Sequence, residues 1–418
     1  MGKHRPQAVA PRYMASFECL GSQCPETCCS GWTVAVDKPT YQKYRTVKIE
    51  PIGSQLRQAV VKVAKPTTRH YATLRYDAAT GFCGFLADGW CGVQKELGAE
   101  YLSATCRDYP RLYQAEGDGL SMYGTLSCPQ TARLALTDVR ALDAETVELP
   151  FANASLVPVV TRQSRPSASE TDPFRKHAAV VRTVMEALVR DDGFSASEAL
   201  VACGLMLRAA LQAVQAAASP AAAEYALIQT LERFLSPIAR QTLPGEIRLL
   251  PEDKTLQFDL LTSASAGFFS DYGGRASFRL LMADVLKGLD WQDDALDVNV
   301  ARYAAIEREV FRPFDAANPH VLKNYLLNDL GKSLFPRHGA ALVEKEFMSL
   351  AVRFGLIRLY AIGLGGLRRE AFGVDDMVRV VYTFARNVEH NLQFVPKVLH
   401  ALESKGALQL AMLAILVR

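Results

Sequence analysis

Phe17-Glu-Cys19-Leu-Gly-Ser-Gln-Cys24-Pro-Glu-Thr-Cys28-Cys29-Ser-Gly-Trp32 places four cysteines in one short, mostly polar stretch. Four more follow as Cys83-x7-Cys91, Cys106 and Cys128, and the rest of the chain holds only Cys203. Cysteine is ordinarily scarce and buried, so this clustering requires a reason beyond packing. A disulfide framework belongs to oxidising compartments, and the opening MGKHRPQAVAPRYMA has neither an apolar h-region nor a convincing cleavage site. Ordinary burial accounts for Cys203, inside the apolar run Ala199 to Leu207, but not for Cys24, Cys28 and Cys29 among Ser, Gln, Pro, Glu and Thr. Thiolate ligation of zinc or of an iron–sulfur cluster fits a reduced chain best.

A structural zinc or an iron–sulfur cluster takes up to four thiolates, so eight leave two alternatives: two centres, or one centre with spare thiols. Cys19-x4-Cys24-x3-Cys28 is one residue longer than the plant-ferredoxin spacing, and Cys24-x3-Cys28-Cys29 lacks the last interval of the radical S-adenosylmethionine motif. Spacing alone therefore does not name the metal. Adjacent Cys28 and Cys29 point apart in extended backbone, and a turn at Gly31 would bring them to one centre. In Cys106-Arg-Asp-Tyr-Pro-Arg111, two arginines approach the candidate centre. Arg107 and Arg111 have the fork geometry to hold a carboxylate, with surface pairing to Asp108 or Glu116 as the alternative.

Composition sets the wider frame. A chain of 418 residues with 49% hydrophobic residues has length for two domains and ample core. A net charge of +3 implies neither nucleic acid nor an anionic membrane as partner. The apolar segment Ala407 to Val417 is too short to span a bilayer and predicts a buried terminal helix. Phe347 to Leu367 is interrupted by Arg353 and Arg358, expected on the wet side of a surface helix. These features predict a soluble cytoplasmic protein with no membrane partner.

The predicted fold is mainly α: a small cysteine-rich metal-binding N-terminal domain with short strands over 1–149, a linker over 150–172, and a larger all-helical domain over 173–418. Trp32 to Val36 alternates as a brief strand does. Asp172-Pro173 has helix-start chemistry, Ser195-x-x-Glu198 is a capping box opening a helix through Ala217, and Ser219-Pro220 opens another through Leu235. Thr255 to Leu261 predicts a strand, and Gly273-Gly274 a turn before a helix over Ala276 to Leu289. Further helices are predicted over 300–310, 319–334, 342–362, 374–391 and 394–404. Gly363-Leu-Gly365-Gly366 follows a helical run and predicts a C-cap, leaving no strand-Gly-x-Gly-x-Gly-helix signature of a Rossmann-like fold.

The ordered motifs resemble a known family. The opening stretch, followed by Asp37 and Tyr41-x-x-Tyr44, is similar to the start of the flagellin lysine-N-methylase family. Cys83-Gly-Phe85-Leu86, Cys91-Gly-Val-Gln94-x3-Gly98, Cys106-Arg-Asp-Tyr109-Pro110-Arg111 and Leu126-Ser127-Cys128-Pro129 resemble its later motifs in the same order. Related cysteine arrays also occur in small zinc- or iron-chelating proteins. The downstream segments Asn324-Tyr325-Leu-Leu-Asn328, Leu334-Phe335-Pro336 and Phe384-x-Arg386-x3-His390-Asn391 resemble the methylase instead. The resemblance implies methyl transfer from S-adenosylmethionine to lysine ε-amines of flagellin, with an iron–sulfur cluster, expected to be [4Fe–4S], on Cys19, Cys24, Cys28, Cys29, Cys83, Cys91, Cys106 and Cys128; zinc is the alternative metal.

Methylation of lysine needs a neutral amine, whose free pKa is about 10.4, so desolvation or a base must remove the proton. Tyr109, Tyr113 and Tyr123 are candidates for lining such a pocket, with packing as the bland alternative. Asn324 and Asn328 share one helix face, as do Arg386 and His390, and the four are candidates for shaping a cofactor or substrate cleft between the halves; with Arg107 and Arg111 the two asparagines are the candidate cofactor-binding residues. The alternative for the asparagines is that they satisfy nearby backbone. Either three cysteines hold a cluster whose open iron binds S-adenosylmethionine, or four make the centre structural and transfer is an in-line displacement. The competing function is a non-catalytic zinc- or iron-binding cluster carrier with a helical partner-binding domain.

Overall fold

Among the described residues, ten short strands all lie in the first 163 positions: β1 (Gln7–Pro11), β2 (Ala35–Val36), β3 (Val60–Lys62), β4 (Ala72–Leu74), β5 (Leu86–Ala87), β6 (Trp90–Cys91), β7 (Arg111–Glu116), β8 (Gly119–Gly124), β9 (Ala144–Glu148) and β10 (Val159–Gln163). The computed structural model describes residues 5–151, 154, 157–164, 166–167, 170–272, 275–388, 394–404 and 412–418. The predicted turn at Gly273-Gly274, His390 with Asn391, and residues 407–411 of the apolar end segment lie outside the described residues. The main sheet has the order β10-β7-β8-β1-β9, and two smaller sheets run β2-β4-β3 and β5-β6. β7 and β8 form an antiparallel hairpin closed at Gly117-Asp118, with Gly117 at positive φ as a two-residue hairpin loop requires. The segment read as a linker supplies β10, which pairs in parallel with β7.

Two hydrophobic cores form. The larger runs without interruption from the main sheet, through Ala8, Tyr113 and Met122, into the helices at Val181, Leu326 and Phe354. The smaller gathers Val34, Tyr44, Ile52, Leu56, Phe85 and Val93 and includes Cys83. The cysteine-rich segment thus has an apolar core of its own beneath its thiols.

Beyond residue 172 the described chain is helical, as predicted. Asp172 accepts from Phe174 N and Arg175 N to start Pro173–Lys176. The Ser195 and Glu198 capping box opens Ala196–Gln215, and Ser219 caps Pro220–Leu235. Ser236-Pro237 repeats that signal and opens Pro237–Arg248, a helix the sequence reading passed over. The predicted strand at Thr255 to Leu261 is instead part of the helix Lys254–Tyr272. Asp253 accepts from Leu256 N at 2.9 Å to start it, and Phe258, Leu261 and Ala264 are buried at helical spacing, so tertiary burial overrides the β-branched and aromatic bias.

Among the described residues, Ala196–Gln215 and Val343–Ala371 are long and apolar enough to cross a membrane, and 61% and 94% of their apolar windows are buried inside the fold. Val343–Arg368 is the central helix, not a surface one, and this corrects the placement of its arginines. Arg358 is buried and pairs with Glu307 at 2.7 Å, while Arg353 reaches the buried Asp329 at 2.6 Å. Gly363 and Gly366 do not cap the helix either. They lie where the helix Ala276–Gly288 crosses it, and a Cβ on Gly366 would stand 2.3 Å from the Gly288 carbonyl oxygen. These glycines allow close helix packing.

Glu307 is 1% exposed, and besides Arg358 it faces Lys254 at 2.6 Å. Burial pushes the Lys254 ammonium down, against the pull of Glu307. Removing the carboxylate would strand the buried Arg358 and leave Lys254 only its pairing with the partly exposed Glu252. Glu307→Gln should therefore lower the unfolding free energy by about 3–5 kcal/mol in urea titrations followed by circular dichroism. The exposed neighbour Glu309→Gln should change it by less than about 1 kcal/mol, and equal effects would contradict a buried network.

Candidate metal centre

All eight N-terminal cysteines line one cavity of about 450 Å³. The segment from Phe17 reaches it after β1 and the short helix Arg12–Ala15, and then turns through Gly21–Gln23. Cys24 Sγ donates to the Glu26 carbonyl at 3.3 Å, Trp32 Nε1 donates to the Cys28 carbonyl at 2.6 Å, and Cys83 N donates to the Cys29 carbonyl at 2.7 Å. Cys83 and Cys91 flank the β5-β6 hairpin, where Leu86 N donates back to the Cys83 carbonyl at 2.9 Å. Cys106 sits in the helix Ala104–Asp108, which Ser103 caps by accepting from Cys106 N. Cys128 is the N-cap of Pro129–Thr137.

Two arginines from the helical part grip the same loop. Arg386 donates to the Glu26 carbonyl at 3.3 Å and to the Thr27 carbonyl, and its Nε lies 3.1 Å from Glu26 Oε1. Arg275 donates to the Ser30 and Gly31 carbonyls, both at 2.9 Å. Gly31 has φ +75°, and a Cβ there would meet the Arg275 guanidinium at 2.6 Å, so both its turn and its emptiness are used. Arg386 was expected to shape a cleft with His390. It instead clamps the backbone of the cysteine loop and also lines the cavity. Arg275 was missed, because nothing local to it signals a partner some 245 positions away.

The other candidates separate cleanly. Arg107 and Arg111 line the cavity; Arg107 Nε donates to Asp108 at 3.1 Å, and Arg111 lies over the Phe17 ring at 5.1 Å. Asn324 and Asn328 do not line it. They are buried in His320–Ser333, where Asn324 Nδ2 donates to the Ala135 and Asp138 carbonyls and Asn328 Nδ2 to the Gly124 carbonyl, with Tyr13 donating to Asn328 Oδ1. Both act as struts between that helix and the sheet side of the molecule. Of the three tyrosines only Tyr109 is in the cavity wall, its hydroxyl 3.2 Å from Ser127 Oγ and its ring against Trp32. Tyr113 packs on Phe151, and Tyr123 lies against Gly331. Cys203 is buried in the helical core, as expected.

Burial dominates the chemistry of the thiols. It raises Cys83 to about 11 and Cys106 to about 12, and it raises Cys24, Cys91 and Cys128 as well. The adjacent Cys28 and Cys29 thiols interact directly, which pushes Cys28 up and lowers Cys29. Thiolates gathered in such a pocket are unfavourable without a cation among them. The donors are soft sulfurs, the set that suits zinc or an iron–sulfur cluster. The thiols ring the cavity rather than meeting at a point: among the described residues no three His, Cys, Asp or Glu side chains gather tightly around a single ion position. Among those residues, too, Glu26 Oε2 and Tyr76 OH are buried without a hydrogen bond, and both belong to cavity-lining residues. A guest in the cavity would find polar partners waiting. The donor chemistry suits a thiolate-bound cluster, while among the described residues no three of the thiols are placed to hold one ion.

Comparison with known proteins adds to this geometry. Residues 182–416 match the family model described as the FliB lysine N-methylase C-terminal domain. Two proteins named lysine-N-methylase, from Salmonella choleraesuis and Salmonella typhimurium, are each 22% identical over 91% of this chain and 91% of their own length. A flagellar biosynthetic protein FliU from Salmonella muenchen is 32% identical over 32% of this chain and 78% of its own. No solved structure matches significantly.

The clamp yields a direct test. Arg386→Met removes hydrogen bonds from a charged group, together worth about 1.5–3 kcal/mol, enough to open the loop about ten- to a hundred-fold more often. In the reduced, metal-free chain, alkylation of Cys24 and Cys28 should accelerate by about that factor while Cys203 is unaffected. An unchanged rate at Cys24 would show that Arg386 does not hold the loop.

Proposed function

The chain belongs to the FliB lysine N-methylase family, and we propose that it transfers methyl groups from S-adenosylmethionine to lysine ε-amines of flagellin at the cysteine-lined cavity. Family membership supports the lysine methyltransferase role. The single observation that carries the choice of site is that all eight thiols, both family-motif arginines near Cys106, and Arg386 border the same cavity. When bound there, an iron–sulfur cluster supplies a metal-thiolate wall; the remaining roles fall to side chains of this chain.

Arg111 and Arg107 suit the carboxylate of the methyl donor, since guanidinium forks bind carboxylates in two-point fashion. Trp32, Trp90 and Tyr109 offer ring faces to its sulfonium cation and keep water from the amine. A lysine entering this apolar cavity loses solvation, which favours the neutral amine with its free lone pair. Glu18, exposed at the rim, meets the ammonium as it arrives. The amine nitrogen then attacks the methyl carbon as the carbon–sulfur bond breaks, leaving S-adenosylhomocysteine, and the extra proton on nitrogen returns to solvent. Proximity and alignment are sufficient to drive such a displacement. We place the reaction in the cytoplasm, where flagellin is met before its export and thiols stay reduced.

Anaerobically purified protein incubated with S-adenosylmethionine and flagellin should yield methylated lysines by peptide mass spectrometry, together with S-adenosylhomocysteine. Arg111→Ala should weaken binding of the methyl donor by about 1.5–3 kcal/mol in calorimetry, whereas Asn324→Ala should lower stability and leave affinity unaltered in the folded fraction. Transfer of metal to an apo-acceptor without any methylation would favour a carrier. 5′-Deoxyadenosine among the products would overturn in-line displacement while leaving the methylase reading intact.

A further inference from the structure

The net charge of +3 hides an uneven distribution. Residues 38–76 hold nine Lys and Arg against one acidic residue, Glu50, whereas the other 379 residues hold 38 against 43. A basic segment is therefore set against a net-acidic remainder.

The small sheet β2-β4-β3 decides where this charge sits. Tyr71 N donates to the Val36 carbonyl and Lys38 N to the Thr68 carbonyl, both at 2.9 Å, so the start of the helix Lys38–Arg45 lies against the β3-β4 connection. Lys62 ends β3 opposite Ala72, and the connection itself carries Lys65 and Arg69. Lys62 Nζ lies 5.0 Å and Lys38 Nζ 5.9 Å from the centre of the Tyr71 ring, which brings the four cations to one end of the sheet. All four are exposed, and among the described residues none of them has an ion pair. Nearby carboxylates have other partners: Glu50 pairs with Arg57 at 2.6 Å, Asp37 accepts from Thr40 N and Ala104 N, and Asp77 accepts from Ala79 N and Thr80 N. Like charges gathered this closely repel, and an anionic partner relieves that repulsion.

The same elements also build the cysteine cavity. Tyr44 of the helix Lys38–Arg45 and Leu74 of β4 line it, and both belong to the small core. Cations and cavity are thus separated by the thickness of one helix, about 10 Å. A protein that inserts one lysine is large enough to cover both. Nucleic acid and membrane fit less well. The Tyr71 ring already meets two ammonium groups and Tyr41 at 5.1 Å, so it is not a free platform for a base. Among the described residues, the exposed large apolar side chains of this region, Ile49, Phe82 and Trp90, lie outside the β3-β4 hairpin, which leaves it nothing to insert into a bilayer.

We propose that Lys38, Lys62, Lys65 and Arg69 form a docking face for an acidic segment of the protein whose lysine enters the cavity. The proposal rests on the methylase reading and adds how the substrate is chosen. The cavity takes a lysine, and the basic face selects a protein that carries carboxylates near it. Exposed contacts of this kind act mainly through steering and are screened by salt.

The full chain, purified anaerobically, is assayed for methyl transfer to flagellin and to a short lysine peptide without acidic residues. Lys62→Glu combined with Arg69→Glu should raise KM for flagellin about ten-fold at low salt, with kcat unchanged and the peptide unaffected. Added salt should raise the wild-type KM for flagellin and leave that of the variant nearly constant. Lys62→Gln combined with Arg69→Gln should give a smaller rise in the same direction, which separates charge from folding. An unchanged KM in the charge-reversed variant would overturn the docking face and keep the methylase. So would binding to phosphatidylglycerol vesicles or to single-stranded DNA that the variant loses while its KM for flagellin stays the same. Flagellin bound by the wild type and not by the variant, with neither substrate methylated, would overturn the methylase reading and keep the face.

Discussion

Two guanidinium groups from the helical part reach across to the Glu26–Gly31 loop and hold it by its carbonyl oxygens: Arg386 at Glu26 and Thr27, Arg275 at Ser30 and Gly31. A loop that presents two adjacent thiols cannot also satisfy its carbonyls with regular strand or helix ladders, and buried backbone acceptors need partners. The arginines supply them from rigid helices. Ser277 adds a bond to Glu26 Oε1 at 2.8 Å, and Asn387 fixes the Arg275 backbone at 3.1 Å. The cysteine-rich part and the helical part therefore share one site, and the geometry of the thiols depends on helices several hundred positions downstream.

That dependence explains why the helical scaffold is built so firmly. The Val343–Arg368 helix runs through the middle, glycines let Ala276–Gly288 cross it closely, and Glu307 neutralises the cations buried beside it. Asn324 and Asn328 tie His320–Ser333 to the sheet and to Pro129–Thr137, the helix that Cys128 begins. Residues that resemble family signatures far from the cysteines thus serve the thiol cavity indirectly, by fixing the elements that carry it. Cationic side chains near the cavity have an electrostatic effect as well: Arg386 favours the thiolate forms of Cys24 and Cys29.

Local chemistry was legible in the sequence. The capping box at Ser195 and the Ser219-Pro220 start carry their signal within a few residues and lead to the expected helices, and the cysteine cluster leads to one shared cavity. Long-range chemistry was not. Nothing near Arg358 reveals that Glu307 will face it inside the core, and the Thr255 to Leu261 run favours strand until its neighbours bury it as a helix. Arg386 was singled out but assigned to a cleft, because its partners are backbone carbonyls that no side-chain pattern can announce. The convergence of all eight thiols on one cavity likewise depends on pairings such as Cys83 with Cys29, which only the folded chain creates.

The most direct measurement of the central claim is anomalous X-ray scattering at the iron and zinc edges from crystals of the anaerobically purified protein. The account predicts metal density inside the cavity, bonded to the cysteine sulfurs that line it. Disulfide-linked cysteines, or metal bound only elsewhere on the chain, would contradict it.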